Sequence, residues 1–133
     1  MDTRKVQDAI RLHILDSQDV VDVVSDRVYP QELARVHTPV YPCINFIITP
    51  GAPMSMVKDA GIMFATVWGW ATGGYDDAGN ALKLVESQLA NTRIGTDECY
   101  ISINVAQFMM QIYDEKASVY GYVMRYRLMA IER

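Results

Sequence analysis

The sequence predicts an α+β domain: a mostly antiparallel sheet of about four to five strands, two main helices on one face, and a long C-terminal hairpin. Three observations carry this prediction. Residues 99–113 and 117–131 are two extended runs around the polar tip Asp114, Glu115 and Lys116. Residues 2–16, and those that follow Asp76 and Asp77, place apolar side chains at helical spacing. Between them lie two runs rich in aromatic and β-branched residues, 43–49 and 62–71, bounded by Pro and Gly. Helices segregated to one side of an antiparallel sheet are a stable way for such elements to bury their apolar faces.

In order along the chain, Val6, Ala9, Ile10, His13 and Ile14 follow the i, i+3, i+4, i+7, i+8 spacing of an amphipathic helix, with Asp2 or Thr3 as its N-cap. His13 on that stripe reads as an edge-of-core histidine. Ser17 or Asp19 caps a short second helix over residues 20–24. Asp26, Arg27, Val28, Tyr29 and Pro30 form a turn into a short extended segment, and residues 31–39 are a polar connection. The strand at 43–49 alternates Ile44, Phe46 and Ile48 with Cys43, Asn45 and Ile47, and Pro50, Gly51, Ala52 and Pro53 are expected to break it. The loop that follows carries Met54 and Met56, as either an insertion without a role or an adaptable contact surface. The strand at 62–71 puts Trp68 and Trp70 on one face. Gly73 and Gly74 end it, Asp76 or Asp77 opens a helix with the stripe Ala78, Leu82, Val85 and Leu89, and residues 91–97 turn the chain into the closing hairpin.

In the last run Tyr120, Tyr122, Met124, Tyr126, Leu128 and Ala130 alternate with Val119, Gly121, Val123, Arg125, Arg127 and Met129. Apolar residues meet across the ladder if Ile101 lies opposite Ala130, Ile103 opposite Leu128, Val105 opposite Tyr126 and Met109 opposite Tyr122. Ala106 and Asn104 then face Arg125 and Arg127. A strand of about fifteen residues spans roughly 50 Å, longer than the roughly 35 to 40 Å diameter of a compact chain of this size. The hairpin must therefore bend or project. Its apolar positions change phase, odd at Ile101, Ile103 and Val105 and even at Ala106, Phe108, Met110 and Ile112, which means either a bulge or a tip apolar on both faces.

The 133 residues are read as one domain, 1–133, half of them hydrophobic, with eight Met and eight Tyr. Disorder is excluded, and part of the apolar surface is expected to be intermolecular. No leader opens the chain and no run approaches roughly 18 apolar residues, so a reducing cytoplasm is the expected place of synthesis. Cys43 and Cys99 read as buried thiols, since no CxxC or Cys/His cluster accompanies them. The net charge of −4 argues against a broad grip on phosphate backbones.

Phosphate loops, dinucleotide fingerprints, HExxH and nucleophile elbows are all missing from the sequence. The acid pairs Asp76/Asp77, Asp97/Glu98 and Asp114/Glu115 fall at turns or helix starts, where capping accounts for them. No catalytic, metal-binding or cofactor-binding residue is assigned, and no enzyme activity is expected. Arg125 and Arg127, opposite the tyrosines, are a solvated face, an ion-pair contact to a neighbouring subunit, or a ring facing DNA.

Several short motifs together resemble one family. The opening helix, then Asp26-Arg27-Val28-Tyr29-Pro30, then Tyr41-Pro42 leading into a hydrophobic strand, is similar to the start of the tail-terminator (tail-completion, head–tail joining) proteins of tailed bacteriophages. So are the strand ending Trp70-Ala71, Tyr75 and Ala78 before the stripe Leu82, Val85, Leu89, and the last strand with Tyr122 and Arg125-Tyr126-Arg127-Leu128. The resemblance implies a virion protein assembled in the host cytoplasm as a hexameric ring on the tail tube. Such a ring ends tube growth and meets the head connector or stopper of the neck, and genomic DNA passes its lumen without sequence-specific binding. It implies no enzyme and no cofactor. The loop at 50–61 and the long hairpin depart from the pattern. A ring needs closing heterologous contacts; the expected ones are Met54, Met56, Lys58, Phe108, Met110, Ile112 and Tyr120, with Arg125 and Arg127. Alternatives are another neck component, stopper or connector, or a small-molecule-binding domain with a pocket at Trp68 and Trp70.

Overall fold

A computed structural model describes residues 3–53 and 60–132. Helix α1 (Thr3–Leu15) buries Val6, Ala9, Ile10 and Ile14, the stripe its spacing sets. His13 sits at the margin, its Nε2 2.9 Å from the carbonyl oxygen of Gln88. Of the two residues able to cap α2 (Gln18–Val24), Ser17 does so, its Oγ accepting from the Val20 N–H. Helix α3 (Tyr75–Leu89) begins ahead of the expected acids, with Gly74 as N-cap at φ 131°, a conformation open to glycine. Asp76 and Asp77 fall in its first turn, where the helix dipole favours them. Ala78, Leu82, Val85 and Leu89 are all buried.

Six strands form one sheet among the described residues, rather than the four to five expected. They are β1 (Val28–Tyr29), β2 (Cys43–Pro53), β3 (Ala60–Ala71), β4 (Arg93–Gly95), β5 (Cys99–Asp114) and β6 (Val119–Glu132), in the order β1-β2-β3-β6-β5-β4. The β1–β2 pair is parallel and the other pairs are antiparallel. The three helices lie on one face, over Ile44, Phe46, Val67, Ile101, Ile103, Tyr126 and Leu128.

Three expectations need correction. Pro50 does not end β2, which continues to Pro53 with a register irregularity between the two prolines. The Ile44 N–H points outward to the Arg27 carbonyl, so by alternation Pro50 also turns its nitrogen to the outer edge, where a missing N–H breaks no ladder bond. The turn at 91–97 contains β4, and a 3-10 turn, Leu33–Arg35, interrupts the polar connection.

The hairpin pairs as expected at its base, with Ile101 opposite Ala130, Ile103 opposite Leu128 and Val105 opposite Tyr126. Register shifts between Val105 and Gln107 and between Gln107 and Met110 then put Gln111, not Met109, opposite Tyr122, and Gln107, not Ala106, opposite Arg125. Of the two readings of the phase change, the bulge is the one found. The hairpin does not project: β3 flanks β6 from Ile131 to Tyr120. The total surface of 7455 Å² is close to the roughly 7,000 Å² expected of a compact 15 kDa chain. The tip turn begins after Asp114, whose Oδ1 accepts from the backbone N–H groups of Lys116 and Ala117.

Candidate functional site

Alternation gives the sheet two faces with different fates. The residues between those buried under the helices point the other way, and register aligns them in rows: Trp68, Val123 and Met110; Thr66 and Arg125; Phe64, Arg127 and Asn104; Ile62, Met129 and Ser102; Ile131 and Tyr100. At one end this second face is closed by a small core of Cys43, Trp70 and Val119, under Tyr29, Leu33 and Tyr41. Trp70 lies across Gly121, where a Cβ would come within 2.7 Å of its ring, and its Nε1 donates to Asn45 Oδ1 at 2.6 Å. Asn45 Nδ2 in turn donates to the Gln31 carbonyl. Burial without partners would cost each of these groups on the order of 1–3 kcal/mol, so the network fixes the loop over this end.

Beyond that core no described helix lies on the face. Ile62, Phe64, Trp68, Val123 and Met129 are half-buried, while Met110, Ile131 and Tyr100 are 55%, 40% and 37% exposed. They leave apolar side chains in several rows of the sheet that no described helix covers. The β5 edge beyond the pairing with β4 also has no outer neighbour among the described residues.

Two arginines stand in the middle of the face. The Arg125 guanidinium lies 4.1 Å from the centre of the Phe64 ring, a cation–π contact that holds it flat on the sheet. Arg127 is exposed. Among the described residues neither forms an ion pair within the chain.

The residues expected to make contacts divide. Met54, Met56 and Lys58 lie outside the described residues, as does the side chain of Phe108. Met110, Arg125 and Arg127 come together on the uncovered face. Ile112 packs against the Trp70 core instead. Tyr120 lies on the helix side, 4.9 Å from the Tyr75 ring and 5.0 Å from that of Tyr113. Phe64, Ile62 and Met129 were not expected in the surface. Their signal was present, since they alternate with Met63 and Leu128 in strands apolar on both faces.

Little chemistry surrounds this surface. No group of three His, Cys, Asp or Glu among the described residues is placed to hold a metal. Cys43 and Cys99 are free and buried, and burial pushes the Cys43 thiol up to about 12, against the lowering influence of Arg27. A cleft of about 300 Å³ opens beside the start of α3, lined in part by Pro42, Gly73, Asp77 and Asn80. Among the described residues no helix is long and apolar enough to cross a membrane.

No protein-family model matches the sequence, and no curated protein matches it. The fold is nevertheless found elsewhere. A chain of the virion of a native gene transfer agent particle superposes with a TM-score of 0.78, covering 96% of this chain and 94% of that chain, at 12% sequence identity.

Proposed function

We propose that residues 1–133 are a single tail-terminator-like domain of a phage-like virion, whose copies form a ring, hexameric in the simplest reading, at the end of the tail tube. The ring ends tube polymerisation and joins the tail to the connector or stopper of the neck. One observation carries this reading: a sheet buried by helices on one face and uncovered on the other, in a fold shared over nearly its whole length with a virion chain. An uncovered apolar face costs solubility in a monomer and is useful in a subunit. The motifs around Tyr29-Pro30, Tyr41-Pro42 and Arg125-Tyr126-Arg127 support the terminator role among virion proteins.

The proposed work is mechanical. The ring binds the last turn of the tube, occupies the surface the next tube subunit would use, and offers its other side to the neck. The test is tube growth: added to polymerising tube protein from the same virion, the chain should stop elongation and leave tubes of fixed length with density at one end. Unaltered elongation, with no protein bound at tube ends, would overturn the terminator role.

A further inference from the structure

Charge is divided between the two sides of the sheet. From the row of Ala60 and Ile131 to that of Trp68 and Val123 the uncovered face carries Arg125 and Arg127 and, among the described residues, no carboxylate. Arg93 joins them by alternation with the buried Ile94 on β4. The whole chain has a formal charge of −4; removing these three arginines (−4 − 3) leaves −7 for everything else.

Helix α1 carries the complementary pattern on the opposite side. Leu12 is 65% exposed, more than any other large hydrophobic among the described residues. Asp8 and Asp16, both exposed, flank it four residues before and after, and the Asp16 N–H still bonds to the Leu12 carbonyl, so the three share one helical ridge. This ridge does nothing for its own helix. An exposed leucine buries little, and a carboxylate at a helix C-terminus opposes the dipole.

We propose that the α1 ridge of Asp8, Leu12 and Asp16 seats on the uncovered sheet face of a second copy. Leu12, midway between its flanking carboxylates, lies over β5 beside Met129, and the carboxylates meet Arg127 on β6 and Arg93 on β4. The spacings agree. Eight helical residues separate the acids by about 12 Å; two strand spacings and one two-residue step separate Arg93 from Arg127 by about 12 Å. Because the two surfaces lie on opposite sides of the sheet, the contact is heterologous and repeats from copy to copy, as a closed ring requires. The inference rests on the ring reading and names the surfaces that build the ring.

Two charge-reversed variants test it, Asp8→Lys with Asp16→Lys and Arg93→Glu with Arg127→Glu, with self-association followed by light scattering and folding by thermal melting. Each alone should need at least about tenfold more protein to assemble, because like charges then face each other, with its melt unchanged. Mixed one to one, they should assemble again, since each supplies the surface that fits the other. Leu12→Asp should weaken assembly alone. Undiminished assembly of the α1 variant, or a mixture that does not recover, overturns this contact and leaves the ring standing. Wild-type protein that stays monomeric at its solubility limit overturns ring and contact together.

Discussion

Asn45 is the one buried polar residue of the described core, 2% exposed, and it holds Trp70 and the Gln31 backbone at once. Its partners were not legible in the sequence, because pairing Asn45 with Trp70 across two strands depends on register. Beside it Cys43 was read as a buried thiol from the lack of metal-ligand spacing, and it is one. Its burial makes a prediction. The thiol rises from 9.0 to about 12 in the folded chain, so above about pH 9 the unfolded chain sheds a proton that the folded chain keeps. Stability from this group is complete below pH 9 and falls as pH rises toward 12, by up to about 1.4 kcal/mol per pH unit. Urea denaturation at pH 8 and pH 10 should show the wild type losing on the order of 1 kcal/mol more than Cys43→Ala between the two. Equal losses would mean that Cys43 titrates as freely folded as unfolded.

Among the elements, the helices were legible because each presents a full apolar stripe, and the base of the hairpin because one face of β5 and β6 is apolar throughout. β4 was not, since three residues hold too little pattern to show a period. Pro50 was misread for a different reason: whether proline ends a strand depends on which way its nitrogen faces, and an outer edge is a property of the sheet rather than of the segment. The tip was displaced because the bulges in β5 absorb two residues before the turn. That places Asp114, not a glycine, in charge of the turn, where its carboxylate receives the N–H groups of Lys116 and Ala117. Asp114→Ala should cost about 1 kcal/mol of stability, the usual worth of such bonds, while leaving the pairing of Ile101 with Ala130 intact. Thermal unfolding with amide exchange across β5 checks both, and exchange lost equally at tip and base would contradict a local role.

For the whole molecule, the sequence made its two-sided apolar strands visible but not which side the helices would leave open. That choice follows from how α1 and α3 pack on Ile44, Tyr126 and Leu128, and it decides where another chain can bind. The uncovered face, the two arginines with no ion pair among the described residues and the acidic α1 ridge are the features the proposed ring uses. The most direct measurement of that claim is the mass of the purified protein in solution over a range of concentrations, by light scattering, with negative-stain images of the assembled fraction. Closed rings of about six copies with a central hole are expected, forming as concentration rises. A monomer at every concentration, or an isologous dimer that goes no further, would contradict it.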